Sequence, residues 1–130
     1  MKEPIWLNAA DIYGIHQAVI AASGGQPGIL AAGSIMASLH KAKNVFYYSQ
    51  NRDLCDLAAV YAYAFTKNHC FVEANERVAL IVVYTFLAIN DVELNALPAE
   101  AASLFREISM GQAPQVTEIE KISCWLKRHT

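Results

Sequence analysis

His69, Glu73, Asn75 and Arg77 fall within one nine-residue stretch, His69-Cys70-Phe71-Val72-Glu73-Ala74-Asn75-Glu76-Arg77. An imidazole, a carboxylate, an amide and a guanidinium are the groups with which a protein holds an anion and moves a proton. The apolar run Val78 to Ile89, interrupted only by Thr85, follows directly and predicts a helix starting inside the stretch. The first N–H groups of a helix lack internal partners, and the helix dipole favours an anion there. Asn75 and Arg77 are therefore candidates to hold phosphate, Arg77 through two parallel hydrogen bonds. The backbone N–H groups from Glu73 through Ala74 and Glu76 to Arg77 add to the same anion site. His69, just outside the helix, is placed to take a proton from an attacking hydroxyl. An unperturbed imidazole titrates at about 6.5, which leaves a useful neutral fraction near neutrality. Glu73 has two readings. A carboxylate in the first turn is favoured by the dipole by roughly 0.3–1 kcal/mol and can pair with Arg77 four residues on. It is also the kind of oxygen ligand through which Mg²⁺ is shared between protein and nucleotide phosphates. Phe71 is expected to anchor the loop in the core. Cys70 is a weak nucleophile candidate, because adjacent side chains rarely form a base–nucleophile pair.

The elements that must position these residues are helical. Asn8 caps a helix over about Ala9 to Ser23 with Ile12, Ile15, Ala18, Val19 and Ala22 on one face, and Gly24-Gly25 stops it. A second helix is predicted from about Ala32 to Ala42, with Lys43 to Arg52 as a polar and aromatic connector in which Val45-Phe46-Tyr47-Tyr48 could form a short extended piece. Asp53 opens a third helix to about Lys67, with Leu54, Leu57, Ala58, Tyr61 and Phe65 inward. Asn68 to Val72 is a loop, and the fourth helix runs from about Glu73 to Ile89. Pro98 starts a fifth, about Ala99 to Met110, closed by Gly111. A sixth is predicted over about Thr117 to His129 with a capping box at Thr117-x-x-Glu120. The expected architecture is all-α: one domain, residues 1–130, with six helices bundled around the apolar fourth.

A chain of 130 residues is long enough to bury a core. Hydrophobic residues make up 55%, and the mean hydropathy is +0.22, yet the longest apolar run is far short of the ~20 residues a bilayer requires. Neither a membrane span nor a signal peptide is expected. The three cysteines, Cys55, Cys70 and Cys124, are an odd number without metal-type spacing, which suits reduced thiols in a cytoplasm. The formal net charge of −2 gives no reason to expect nucleic acid as a partner.

The stretch resembles the Fic/Doc superfamily signature, H-x-F-x-(D/E)-(A/G)-N-(K/G)-R, and most closely its Doc (death-on-curing) branch. Gly24-Gly25-Gln26-Pro27-Gly28-Ile29-Leu30 is similar to the Gly-rich segment of Doc proteins, and Gly33-Ser34-Ile35-Met36-Ala37-Ser38-Leu39 to the helix start that follows it. Leu80 stands where many adenylylating Fic proteins have a second Arg. The resemblance implies a Fic/Doc-like helical bundle and a toxin that moves a phosphoryl group from ATP, with Mg²⁺, to a protein hydroxyl. It further implies elongation factor Tu as the target, so that translation stalls, and a Phd-type antitoxin that lays a helix into an apolar groove. In these roles His69 is the general base, Glu73 the Mg²⁺ ligand, and Asn75, Arg77, Ala74 and Glu76 line the nucleotide phosphates.

Two departures from the Doc pattern stand out. Glu76 occupies the place of a Lys that meets phosphate in Doc proteins. Like charges about 4 Å apart repel by about 4 kcal/mol at an effective dielectric of 20. Three outcomes follow: an additional cation, a Glu76 turned outward, or a dead site. Ile29-Leu30-Ala31-Ala32 replaces the usual Leu-Arg-Asp, so two charges are gone. The alternative to an enzyme is therefore a catalytically inactive Doc-fold protein that acts by binding a partner or antitoxin.

Overall fold

A computed structural model describes residues 3–130. Among these residues the structure is six α-helices with no strand beyond one isolated bridge: α1 (Ala9–Ser23), α2 (Ala32–Ser49), α3 (Leu54–Lys67), α4 (Asn75–Ile89), α5 (Pro98–Met110) and α6 (Gln115–Arg128). α1 starts where Asn8 accepts from the Asp11 N–H and Asp11 accepts from the Asn8 N–H, a reciprocal capping box. α3 starts where Asp53 accepts from the Asp56 N–H.

Three expected boundaries are corrected. α2 continues to Ser49, so Val45-Phe46-Tyr47-Tyr48 is helical and the connector shrinks to a few residues after Gln50, which ends the helix at φ 54. Tertiary burial overrides the strand preference of these residues. Leu39, Ala42 and Phe46 recur at helical spacing on the buried face, and Phe46 meets the Trp6 ring edge-on at 5.6 Å. α4 begins at Asn75 rather than Glu73, because Ala74 takes a left-handed φ of 71 and the chain turns sharply there. α6 begins at Gln115, with Pro114 as its N-cap and no side-chain cap. The extended ψ of 148 at Pro114 launches the helix two residues early, and Thr117 then lies inside it, so the Thr117–Glu120 box does not form.

The centre is shared by two helices. α4 packs against α1, α3 and α5, whereas α3 packs against α2, α4, α5 and α6. α3 is buried nearly all round, from Leu57 through Ala62 and again at Phe65, as an apolar helix without a polar face must be. Phe86 of α4 is fully enclosed, stacked on Trp6 at 5.9 Å and met edge-on by Tyr61 of α3 at 4.9 Å. Burial of a side chain of this size contributes about 1.5–3 kcal/mol. The rigid α3–α4 pair fixes the Asn68–Ala74 loop between them, and α1 and α5 flank it. No helix among the described residues is long and apolar enough to cross a membrane.

Candidate active site

The loop between α3 and α4 is held from both sides. Phe71 is buried and stacks face to face on His16 of α1, ring centroids 3.9 Å apart and 7° from parallel. His16 is itself buried, and its Nε2 lies 3.3 Å from the Glu73 carbonyl oxygen. A carbonyl only accepts, so this nitrogen carries the proton in that bond. On the outer side, the Gly-rich segment runs antiparallel to the loop. The Leu30 and Ala31 N–H groups donate to the Cys70 carbonyl at 2.8 and 3.1 Å, and the Val72 N–H donates to the Gly28 carbonyl at 3.2 Å. Gly28, at φ +129, makes this approach possible: a Cβ there would stand 3.3 Å from Val72 Cγ2.

Asn75 closes the loop on itself. Its Oδ1 accepts from the Phe71 N–H at 3.0 Å, and its Nδ2 donates to the Phe71 carbonyl at 2.9 Å. The amide has a second Nδ2 hydrogen to offer elsewhere. Ala74, the N-cap, gives α4 no side-chain cap. The N–H groups of Asn75, Glu76 and Arg77 are therefore left without an intrahelical partner at the helix start.

A cleft of about 400 Å³ opens in front of that helix start, within the usual size of a small-molecule site. His69, Glu73, Ala74, Asn75, Glu76 and Arg77 all line it. The structure thus brings together the candidate base, metal-ligand and phosphate-binding residues of the sequence, while Phe71 is buried behind the loop as expected and Cys70 lies outside the cleft lining. His69 is exposed, at a left-handed φ of 46. Arg77 donates to Ser23 Oγ and, at 3.4 Å, to the Gly24 carbonyl, which ties it to the end of α1. Glu73 Oε2 accepts from the Gln26 N–H at 2.6 Å. The expected pairing of Glu73 with Arg77 across one helical turn does not form among the described residues, because Glu73 precedes α4. The two side chains meet Gly25 instead: a Cβ there would stand 2.8 Å from Glu73 Oε2 and 3.5 Å from Arg77 Nη2. Glu76 is half-buried on the cleft wall, not turned away from it. Cys70 is buried with its Sγ 3.9 Å from Ser38 Oγ. Burial pushes its thiol above the usual range, and Cys70 does not line the cleft.

Sequence reasoning missed four contributors. His16 and Gly25 position the loop and Glu73 from α1 and the turn after it. Thr66 of α3 and Arg106 of α5 line the cleft from the opposite side. For His16 there was a signal, a histidine on the apolar Ile12–Val19 face of α1. For Arg106 there was none, since nothing local links α5 to the loop.

A second surface lies between α1 and α4. It is an open groove of about 700 Å³, lined chiefly by apolar atoms. Ala10, Gly14, Ala18 and Ala22 line it at intervals of four, so α1 offers a row of small residues to whatever lies in it, with Leu80 and Ile81 of α4 opposite.

A profile of the Fic/DOC family matches residues 6–87, from the start of the core through most of α4. The chain belongs to the Fic/DOC family. It is also similar to the "Protein kinase doc" of Escherichia phage P1, with 26% identity over 122 residues that cover 94% of this chain and 93% of that protein. The resemblance to the Doc branch and the all-α fold are thus both borne out.

The donor set of the cleft in this Fic/DOC protein is an uncapped helix start, a guanidinium and a carboxylate, which suit an anion accompanied by a divalent cation. Among the described residues, no cluster of three or more His, Cys, Asp or Glu could hold a metal alone. Mg²⁺ does not require one, because it is usually held by one or two carboxylates together with substrate phosphates and water. Glu73 would be the carboxylate for such an ion, and its Oε2 accepts from the Gln26 N–H.

Proposed function

We propose that this Fic/DOC protein is the toxin of a toxin–antitoxin pair and transfers the γ-phosphoryl group of ATP to a hydroxyl of another protein. The observation that carries this reading is the convergence of His69 and the uncapped start of α4 on one cleft. The phosphates would lie against the N–H groups of Asn75, Glu76 and Arg77, with the Arg77 guanidinium and the spare Asn75 amide hydrogen as side-chain donors. Glu73 would hold Mg²⁺, which when bound offsets the charge on the phosphates. His69 takes the proton of the target hydroxyl. The hydroxyl oxygen bonds to the γ-phosphorus as the bond to the bridging oxygen breaks, and the nucleoside diphosphate leaves with that electron pair. Positioning and charge stabilisation supply most of the rate in such transfers. The kinase name of the phage P1 relative supports phosphoryl over adenylyl transfer. So do Glu76 in place of a small Gly and Leu80 in place of a second Arg.

Resemblance to the Doc branch makes elongation factor Tu the target, in the cytoplasm, with arrested translation as the outcome. The groove between α1 and α4 suits a Phd-type antitoxin, since an amphipathic helix can set its apolar face against α1's small residues.

Glu76 favours a second reading, a Doc-fold protein that binds partners without catalysis, because its carboxylate sits on the wall where phosphates would lie. Induced expression in bacteria separates the two. The enzyme reading expects growth arrest that His69→Ala abolishes while the folded protein still accumulates. Equal arrest by His69→Ala would establish the binding reading instead.

A further inference from the structure

The wall of the cleft opposite the loop is built by α5 and the end of α3, which contribute Phe105, Arg106, Ser109 and Thr66. Nothing in the signature stretch accounts for this wall. Arg106 is exposed, and among the described residues no carboxylate or carbonyl engages its guanidinium. Its neighbours on α5 do find partners or burial: Glu107 takes Lys121 at 2.5 Å, and Phe105 and Ile108 are in the core. Thr66 points to a ligand independently. It is 1% exposed and lines the cleft, yet its Oγ1 has no hydrogen-bond partner. A buried hydroxyl without a partner is costly and uncommon in a folded protein.

The charges of the cleft say what this wall is for. The lining of the cleft carries two carboxylates, Glu73 and Glu76, and two guanidiniums, Arg77 and Arg106. Without Arg106 the carboxylates of the lining would outnumber its guanidiniums, which disfavours a polyphosphate. With it guanidiniums and carboxylates are equal in number, and a cation at Glu73 would tip the lining toward positive charge.

We infer that Arg106 is a phosphate-binding residue of this cleft and offsets Glu76 from the opposite wall, with the Thr66 hydroxyl as a further donor to the same phosphate chain. The positive charge lost at the start of α4 is thereby supplied from α5. The inference rests on the nucleotide-binding reading above and names how that site tolerates a carboxylate.

The test is calorimetric titration with Mg²⁺–ATP of four full-length proteins: the natural chain, Arg106→Ala, Glu76→Lys and the double variant. Arg106 is exposed and Ala is a good helix former, so thermal melting should be unchanged by the substitution and confirms the fold. The natural protein should bind. Arg106→Ala should weaken binding by roughly tenfold or more, the scale of a lost charge-assisted hydrogen bond. In the Glu76→Lys background the same substitution should cost less than about threefold, because the lysine restores the charge. Natural-level affinity in Arg106→Ala, or an equal loss in both backgrounds, would overturn the inference and leave the nucleotide site standing. Binding by Glu76→Lys but not by the natural chain would show that Arg106 fails to offset the carboxylate, and overturns it too. Absence of binding in all four would remove the nucleotide reading and the inference together.

Discussion

Asn75 illustrates how much of the site is held by single side chains acting on the backbone. Both ends of its amide are bonded to Phe71, so it shapes the loop that presents His69 as well as facing the cleft. Asn75→Ala removes both bonds, and we expect a loss of about 1–3 kcal/mol in chemical denaturation, with the loop exchanging its amide hydrogens faster. Gly25 acts by absence. Its φ of +120 and the 2.8 Å separation between a built Cβ and Glu73 Oε2 leave no room for a methyl group. Gly25→Ala should displace the Glu73 carboxylate and break its 2.6 Å bond from Gln26. The expected readout is a lowered melting temperature together with a weakened Mg²⁺ dependence of nucleotide binding. An unchanged Mg²⁺ dependence would show that Glu73 is not the metal ligand. The chemistry-bearing side chains were legible in the sequence because they lie within nine residues, where spacing alone fixes their neighbourhood. The contact of Gly25 with Glu73 and the place of Arg106 were not, because each reaches the site across a large sequence separation, and His16 showed only as a histidine on an apolar helix face.

Among the elements, those with a chemical signal at their ends were legible and the others were not. Asn8 and Asp53 cap α1 and α3, and Pro98 and Gly111 bracket α5, so these boundaries matched. The end of α2 was misread because Val45 to Tyr48 look like strand residues, and only packing of Phe46 against Trp6 shows otherwise. The start of α4 was misread because a left-handed Ala74 has no local signature for a residue with a Cβ. The groove between α1 and α4 gives a prediction at this scale. Ala18 is exposed within it, on the row of small residues. Ala18→Glu should leave folding and growth arrest intact, since Glu is tolerated on an exposed helix face. It should also block protection by a co-expressed antitoxin, because a helix laid against α1 would meet a buried charge. Undiminished protection would place the antitoxin elsewhere.

The whole molecule closes through Asp56, which joins the start of α3 to α6. Its carboxylate accepts from Ser123 and from Asn51 at 3.1 Å, and pairs with Lys127 at 3.3 Å. Burial raises its affinity for a proton, but the three donors together outweigh burial and hold the carboxyl below its ordinary value of 3.8. A carboxyl lowered in the folded state contributes stability that is complete well above 3.8 and is lost as the pH falls through the lowered value. Stability measured by denaturant from neutral pH downward should therefore fall less steeply in the acid range for Asp56→Asn than for the natural protein, from a lower starting level. The central claim concerns what the assembled cleft transfers. The most direct measurement supplies a bacterial lysate with Mg²⁺ and ATP labelled at either the γ- or the α-phosphorus, and compares the natural protein with His69→Ala. The account predicts that γ-label alone reaches a protein, and only with His69 present. Transfer of α-label would make the protein an adenylyltransferase, and transfer of neither label would contradict the claim that this cleft carries out group transfer.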